Sequence, residues 1–466
     1  MGCHAVYGSM QSQKSTSQSL RYRRRQPEKS LLYQAIAQNI DGFIHARAEE
    51  GRDLPPYVIK EFNEYLKCGR LECGFVRVRC SSCEDEFPVA LSCKKRGFCP
   101  SCTGKRMVET SAHLVDNILP VAPYRQWIVT LPVPLRFWCA TNRKLRSKVH
   151  RIIIKTIESY YKTAAESRGI SDPQTGAVTF VQHFGSALNF NLHYHILFLD
   201  GVYSKDGKRF YEITDLANAN VEQIIASIAG KIIKHCQKLG LISDDPEQIQ
   251  NLKMDELFEE NSVITAALQA SIKGRIAFGE RAGEYVRYLG SGLGFMEEVP
   301  LAKGHLCYSQ NGFTVHAATH VAVHARKKLE KLIKYIARPP LAAHRLSKTS
   351  DGLLAYKLKT PFADGKTHVV LSPMELLEKL VAIIPPPKTH NTKYSGVFGP
   401  HHELRKNLIL NPNIKKGFCK KEVDGVDEDK KPNYSWSKLL ARSFKYDLET
   451  CPICGGELTC KNSDLI

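Results

Sequence analysis

The sequence predicts an α+β fold in which an antiparallel sheet core carries flanking helices and follows an N-terminal zinc-ribbon module. Two observations lead to this prediction. Strand-like runs at 126–133, 177–184 and 192–199 alternate with a helical pattern at about 143–168. Upstream, seven cysteines crowd between residues 68 and 102, several in C-x-x-C pairs. A chain of 466 residues exceeds one ordinary core, so we expect about three structural units.

The charge balance points to a polyanionic partner. Lys plus Arg number 66 against 47 Asp plus Glu, which leaves a net charge of +19. Nucleic acid is the leading partner and an anionic membrane the alternative. No apolar run reaches the roughly 20 residues of a membrane span, and no basic-then-apolar signal opens the chain. We therefore expect a cytoplasmic protein.

Composition and periodicity divide the chain into five consecutive parts. A helix is predicted in the second of them, because Leu32, Ile36, Ile40 and Phe43 or Ile44 recur at helix-face spacing. The first part ends on the basic cluster RYRRR and is either an arm that lies on phosphates or a merely solvated tail. The parts are a flexible basic arm at 1–27, a helical and zinc-binding domain at 28–120, a core at 121–345 with a helical insertion at about 204–275, a C-terminal extension at 346–420, and a linker with a short cysteine-containing tail at 421–466.

Two C-x-x-C pairs, CSSC and CPSC, predict a structural zinc site. Four thiolates so spaced can close a tetrahedral site with no open position, so this zinc would act as a scaffold; the alternative is four reduced cysteines without a metal. The predicted ligands are Cys80, Cys83, Cys99 and Cys102. Nearby cations predict a basic DNA-binding surface, formed by Lys94, Lys95, Arg96, Lys105 and Arg106.

The remaining cysteines leave their roles open. Cys68, Cys73 and Cys93 either complete a second site or pack nearby. The tail offers three further thiols without an obvious fourth ligand, and a metal there is as plausible as none; they are Cys451, Cys454 and Cys460.

The stretch NFNLHYHILFLDGVY, residues 189–203, places two histidines on one face of a strand. Strand side chains alternate, so His193 and His195 share a face with the leucines at 197 and 199, whereas Tyr194 lies on the other face. They are either a hydrogen-bonded pair or two ligands of a metal ion.

A basic helix carries a candidate nucleophile. In VHARKKLEKLIKYIARPP, an apolar stripe runs along one side, and Tyr335 lies off that stripe, on a face with Lys328, Lys331 and Arg338. The tyrosine is either packed at the edge of a core or a phenol aimed at a phosphodiester, with the cations lowering its pKa.

A third metal ligand is expected from another strand. In GFTVHAATH, His316 is out of phase with the apolar positions and would add a third imidazole. The rival ligands are His320, His324, Gln182 and His183. An imidazole-rich site favours Mn²⁺, and Mg²⁺ remains plausible by abundance.

Several motifs in one order resemble transposases of the IS91 insertion-sequence family. The motifs are SCKKRGFCPSC, QHFGSALNFNLHYHILFLDGVY, GFTVHA, YIARPPLAAHRL and PPPKTHNTKYSGVFGPHHELR, over about residues 28 to 456. The resemblance implies an HUH endonuclease core, matched here by His193, Tyr194 and His195, behind a zinc-binding domain. It further implies that Tyr335 is the nucleophile that joins a 5′ phosphate and that His316 is the third ligand.

The chain departs from that family at a few positions. Some relatives carry a second tyrosine four residues after the first, where this chain has Pro339. That exchange puts a two-tyrosine hand-over within one protomer in doubt. His183 stands in place of an arginine, and Cys73 stands where relatives often have histidine, which keeps a possible zinc ligand.

We therefore expect a rolling-circle-type DNA transposase that nicks and rejoins single-stranded ends through a 5′-phosphotyrosine. Its expected partners are single-stranded and hairpin transposon-end DNA and target DNA, its metals structural Zn²⁺ and catalytic Mg²⁺ or Mn²⁺, without a nucleotide cofactor, since no G-x-x-x-x-G-K-[ST] loop occurs. The alternatives are a replication initiator or relaxase with the same chemistry, and a non-enzymatic zinc-ribbon DNA-binding regulator.

Overall fold

The computed structural model describes residues 25–243, 252–290, 304–362, 364–410 and 450–461. Nearly all of the predicted basic arm and most of the predicted linker lie outside these residues. The chain forms two compact units. The core unit comprises Gln26–Cys68 and Ser92–Pro432, and the hairpin unit contains Gly69–Leu91 together with the C-terminal segment from Asn433.

All α-helices of the described residues belong to the core unit. They are α1 (Leu31–Glu49), α2 (Pro56–Lys67), α3 (Pro100–His113), α4 (Val133–Thr141), α5 (Arg143–Glu166), α6 (Asn218–Lys238), α7 (Glu256–Glu260), α8 (Ser262–Ile272), α9 (Arg326–Ile336), α10 (Pro373–Ile383) and α11 (Leu404–Leu410). None of them is long and apolar enough to cross a membrane.

The strands form one large antiparallel sheet and three smaller ones. They are β1 (Phe75–Cys80), β2 (Glu86–Ala90), β3 (Tyr124–Thr130), β4 (Gly176–Phe184), β5 (Phe190–Leu199), β6 (Gly201–Tyr203), β7 (Phe210–Glu212), β8 (Arg287–Leu289), β9 (Cys307–Gln310), β10 (Phe313–Val321), β11 (Leu346–Lys348), β12 (Leu354–Lys357), β13 (His368–Leu371), β14 (Thr392–Gly396) and β15 (Leu458–Lys461).

The central sheet has the order β14-β4-β5-β3-β10-β9, with every neighbouring pair antiparallel. Helices α4 and α8 contact β5, and α6 contacts β10. A second sheet, of order β11-β12-β13-β8, also lies in the core unit. The prediction of an α+β fold with an antiparallel sheet and flanking helices is therefore confirmed.

The two faces of β5 enter different hydrophobic cores, as the alternation of its residues predicts. Tyr194, Ile196 and Phe198 belong to the larger core, which also contains residues of α4, α5, α6 and α8. Leu197 and Leu199 belong to a smaller core on the opposite face. The histidine pair shares that second face.

Helix α9 covers the histidine face through its apolar stripe. Leu329, Ile333 and Ile336 are almost fully buried in the smaller core, whereas Leu332 is only partly buried beside it. Each fully buried side chain of this size contributes roughly 1.5–3 kcal/mol of burial free energy. The helix ends at Ile336, shortly before Pro339 and Pro340, which cannot continue it. The predicted helix and its stripe are thus confirmed, and the stripe fixes the helix on the sheet.

Candidate active site and metal centres

The two histidines of β5 are neighbours, with His195 buried and His193 partly buried. Their ring centroids lie 5.0 Å apart, with the ring planes at 64°. The Nδ1 atom of His193 donates a hydrogen bond to the carbonyl oxygen of Asn191 at 2.8 Å, because a carbonyl can only accept. The side-chain amide of Gln126 contacts Nδ1 of His195 at 2.8 Å. Both Nδ1 atoms are engaged, and Nε2 is the ring nitrogen left on each histidine to meet a ligand.

Burial keeps both rings neutral. Loss of solvation lowers the pKa of His193 to about 4 and that of His195 to about 3. The positive charge of Arg338 lowers the pKa of both rings further. At neutral pH each imidazole therefore has a lone pair, which is the form that binds a metal ion. A neutral, pre-oriented imidazole pair of this kind fits a divalent cation.

Strand register decides which other polar side chains flank the pair. Gln182 on β4 is directly opposite His193. His316 on β10 is opposite Ile128 on β3, and Ile128 is in turn opposite His195, so one strand separates His316 from the pair. Adjacent strands lie about 4.8 Å apart, which puts His316 roughly 10 Å from His195 at the backbone. Among the described residues, no group of three His, Cys, Asp or Glu ligands includes the pair.

Gln182 and His316 each carry an unpaired buried atom. Among the described residues, neither Oε1 of Gln182 nor Nδ1 of His316 has a hydrogen-bond partner. The Nε2 atom of Gln182 donates to the carbonyl oxygen of Ile336 at the end of α9. Gln182 therefore connects the strand beside His193 to the helix of Tyr335. An unsatisfied buried acceptor costs free energy, and a bound cation would relieve that cost.

The other predicted rivals point elsewhere. The Nε2 atom of His320 lies 3.5 Å from Asp200. His320 pairs in register with Arg125, so its side chain lies on the sheet face opposite the one that carries Gln126. His183 contacts the amide oxygen of Asn391 at 3.2 Å, and His324 is exposed in a turn. Gln182, and none of these three histidines, is opposite His193 in strand register.

Tyr335 lies among cations on the exposed side of α9. Its side chain is 43% exposed. The Nζ atom of Lys359 is 3.9 Å from the ring centroid, and the Arg338 guanidinium carbon is 4.9 Å from it. A hydrogen bond from Lys359 and the charge of Arg338 lower the pKa of the phenol. Since Arg338 also influences both histidines, it is electrostatically coupled to each of the two proposed catalytic groups.

The predicted basic face of α9 is only partly assembled around the tyrosine. Arg338 contacts its ring, but Lys328 donates to the carbonyl oxygen of His320 at 3.0 Å, and Lys331 is exposed. Lys359 was missed by sequence reasoning. It follows β12, 24 residues after the tyrosine, and no local spacing indicates that it would reach the ring.

A basic cavity of about 150 Å³ opens beside β4 and the end of α9. Its lining includes Arg96, Arg106 and Arg338, together with Gln182. Helix α3, which carries Arg106, packs against α9. The guanidinium groups among its lining residues suit a phosphate.

Arg106 and Lys105, two of the cations predicted to bind DNA, contact neighbouring groups of the protein. Arg106 donates to the carbonyl oxygen of Lys94 at 3.2 Å, and Lys105 lies 3.8 Å from Glu109. Lys94 and Lys95 belong to the loop before α3, where Lys94 is exposed.

A first cysteine cluster lies in the core unit at the start of α3. Its four sulfur atoms all lie within 4.8 Å of one another. Neighbouring sulfurs are separated by 3.4 to 3.7 Å, close to the ~3.8 Å edge of a tetrahedron built on Zn–S bonds of about 2.3 Å. The cluster consists of Cys68, Cys93, Cys99 and Cys102. This donor set fits one structural zinc ion with no open position.

The predicted zinc ligands were therefore wrong in their combination. Cys99 and Cys102 belong to the first cysteine cluster, whereas Cys80 and Cys83 lie in the hairpin unit. There they form a second cysteine cluster with Cys451 and Cys454. Two similar C-x-x-C pairs close together in sequence suggested a shared site, but each pair completes its set with other cysteines. Cys73 is exposed and belongs to neither cluster.

Comparison with protein families gives two matches that cover successive parts of the chain. Residues 36–131, which include the first cysteine cluster, match the family described as "Transposase zinc-binding domain". Residues 176–406, which include β5 with its histidine pair and Tyr335, match the family described as "Putative transposase". No match was found among curated proteins or solved structures. The order of a zinc-binding domain and a transposase domain confirms the resemblance noted in the sequence, and the chain belongs to the IS91-type transposases.

Proposed function

We propose that this transposase nicks and rejoins single-stranded transposon-end DNA in a rolling-circle-type reaction, with Tyr335 as the nucleophile and an HUH-type histidine pair. The observation that carries the proposal is that α9, with its cation-flanked phenol, packs on the sheet face that carries two neutral histidines, and that Arg338 acts on the phenol and on both rings. Other tyrosines, such as Tyr356, also contact a cation, so the proposal rests on the lowered pKa of the Tyr335 phenol together with its position on α9.

The proposed reaction exchanges one phosphate ester for another. The phenolic oxygen of Tyr335 loses its proton and attacks the scissile phosphorus. A bond from that oxygen to phosphorus forms, the bond from phosphorus to the 3′ oxygen breaks, and the 3′ oxygen takes up a proton. The product is a 5′-phosphotyrosine and a free 3′ hydroxyl. Because an ester bond is kept, the reverse attack by a 3′ hydroxyl rejoins DNA without a nucleotide cofactor.

The side chains around Tyr335 have distinct roles in this reaction. Lys359 and Arg338 favour the phenolate, and their charges offset the negative charge that builds up on the phosphate. Arg96 and Arg106 line the cavity at the end of the same helix and would hold a neighbouring phosphate of the strand. The first cysteine cluster, holding zinc, fixes the loop and helix that carry these two arginines.

A catalytic Mg²⁺ or Mn²⁺ would be held by Nε2 of His193 and Nε2 of His195. Bound there, such an ion would polarise a phosphate oxygen of the scissile bond. We propose Gln182 as the third ligand, because its unpaired Oε1 is on the adjacent strand and Mg²⁺ and Mn²⁺ favour oxygen donors. His316, the ligand expected from sequence, is one strand further away and is the alternative.

A nicking assay on labelled single-stranded transposon-end DNA tests the histidine pair. His193→Ala or His195→Ala should lower the nicking rate by more than about 100-fold, because each change removes a direct ligand. DNA affinity should stay close to that of the unchanged protein, since the cations of the basic cavity, and not the two histidines, are proposed to hold the strand. His320→Ala is the matched control, because it also removes a histidine from the central sheet but on the other face, and it should nick normally.

The same assay, titrated with Mn²⁺, identifies the third ligand. Gln182→Leu should raise the Mn²⁺ concentration needed for half-maximal nicking by about 10- to 100-fold, whereas His316→Leu should not. The reverse pattern would assign the ligand to His316. Normal nicking by the His193→Ala, His195→Ala double variant at every Mn²⁺ concentration would contradict a catalytic metal at the pair.

A further inference from the structure

We propose that the second cysteine cluster, Cys80, Cys83, Cys451 and Cys454, binds a second zinc ion that joins the C-terminal end of the chain to the β1–β2 hairpin. Half of the site lies outside the two family matches, since Cys451 and Cys454 follow the last matched residue, 406. The proposal is independent of the nicking chemistry.

The sulfur positions fit a single ion. All four sulfurs lie within 4.8 Å of one another, with Cys80 to Cys454 at 3.4 Å and Cys83 to Cys451 at 3.7 Å. Zn–S bonds of about 2.3 Å place sulfurs around one ion at most ~4.6 Å apart, and ~3.8 Å apart in a tetrahedron. Four cysteine ligands in that arrangement are typical of structural zinc.

The two C-x-x-C segments share two backbone features, although they lie more than 360 residues apart in the sequence. The N–H of Cys80 donates to the carbonyl of Asp85 at 2.9 Å, and the N–H of Cys451 donates to the carbonyl of Gly456 at 2.8 Å, each five residues on. The residue four positions after the first cysteine has positive φ in both, 63° at Glu84 and 76° at Gly455.

Backbone N–H groups also point at the sulfurs in both segments. The N–H of Ser82 donates to Sγ of Cys80 at 3.4 Å, and the N–H of Gly456 donates to Sγ of Cys454 at 3.4 Å. Such bonds stabilise thiolates, which are the form that binds zinc. In the first segment the acceptor is the first cysteine of the pair, and in the second segment it is the second cysteine, so each segment offers one sulfur that accepts a backbone hydrogen bond.

Backbone pairing brings the two C-x-x-C segments close together. Strand β15 pairs with β1 in antiparallel register, with Cys80 opposite Leu458. The N–H of Ser81 donates to the carbonyl of Glu457 at 2.9 Å. A Cβ atom on Gly456 would come within 2.4 Å of Oγ of Ser82 and 3.0 Å of Sγ of Cys80. Only glycine leaves room for the sulfur at this position.

The described residues of the hairpin unit, 69–91 and 450–461, form no hydrophobic core that would hold these strands without a metal. Among its described residues, the buried side chains are Val78, Cys80 and Cys451, beside the buried Gly74. A three-stranded sheet with so little buried apolar surface needs a metal or another cross-link to be stable. Zinc supplies that cross-link and closes a loop of 368 residues between Cys83 and Cys451.

Zinc stoichiometry of the full chain, purified under reducing conditions, tests the proposal. The unchanged protein should contain two zinc ions per chain, and the Cys451→Ser, Cys454→Ser double variant should contain one. Cys73→Ser is the matched control, because Cys73 lies in the same unit outside the cluster, and it should keep both ions. One zinc ion in the unchanged protein, with no loss in the double variant, or iron in place of the second zinc, would overturn the proposal.

A second measurement does not depend on the folding of a cysteine variant. A protease site is inserted between residues 421 and 449, and the full chain is cleaved there under native, reducing conditions. The C-terminal fragment should stay with the rest of the protein until a zinc chelator removes the metal, and should then separate. A fragment that separates before chelation, or stays after both zinc ions are lost, would show that zinc does not join the two ends.

Discussion

At the scale of single residues, the lowered pKa of Tyr335 predicts the pH dependence of nicking. Lys359 and Arg338 stabilise the phenolate, so the nicking rate should reach its upper limit at a lower pH than a free phenol would allow. Lys359→Met removes the larger influence and raises the pKa of the phenol. The alkaline rise of the rate should therefore move to higher pH, as measured by single-turnover nicking between pH 6 and about 10.

Lys357→Met is the control for that shift, because Lys357 is an exposed lysine two residues earlier. Its pH profile should match that of the unchanged protein. Equal profiles for both variants would mean that Lys359 does not tune the nucleophile.

Some features of the candidate site could be predicted from the sequence and others could not. The shared strand face of His193 and His195 was predictable, because alternation along a strand is local. The proximity of Lys359 to Tyr335 and the position of Gln182 beside His193 were not, since both depend on how distant segments pair. Gln182 is one of several possible third ligands in the sequence, and only strand register distinguishes it from the histidines.

At the scale of secondary structure, the sequence predicted well those elements with a strong period. The helix from Leu31 to Glu49 buries Leu32, Ile36, Ile40 and Phe43, and leaves the alternative Ile44 partly exposed. The three predicted strands of the core are β3, β4 and β5. Their order in the sheet was not predictable, because hydrophobic periodicity indicates a buried face but not the partner strand.

The cysteines show the same limit more sharply. Spacing within each C-x-x-C pair identified metal ligands, but it carries no information about which pairs combine. The pair at 80 and 83 meets cysteines more than 360 residues away, whereas the pair at 99 and 102 meets Cys68 and Cys93. A hairpin inserted between Cys68 and Cys93 separates those two ligands in the sequence.

At the scale of the whole molecule, a net charge of +19 predicts strongly salt-dependent DNA binding. Each phosphate contact on single-stranded DNA contributes about 0.7 to the slope of log affinity against log salt concentration. Arg96→Ala should therefore reduce the slope by about 0.7, as measured by binding titrations at several salt concentrations. Arg96 is exposed and lines the basic cavity.

The matched control for this prediction is Arg151→Ala, which removes the same charge from an exposed position on α5. Its slope should equal that of the unchanged protein. If both variants lowered the slope equally, the net charge of the protein rather than the cavity would govern binding.

The central claim is that Tyr335 forms the covalent link to DNA, and mapping that link tests it most directly. Labelled single-stranded transposon-end DNA is incubated with protein and Mn²⁺, and the adduct is located by peptide mass spectrometry. The adduct should lie on Tyr335 and carry a 5′ phosphate, and Tyr335→Phe should abolish it while DNA affinity is kept, because only the attacking oxygen is removed. An adduct that persists in Tyr335→Phe on another residue, such as Tyr356 or Tyr394, would contradict the claim.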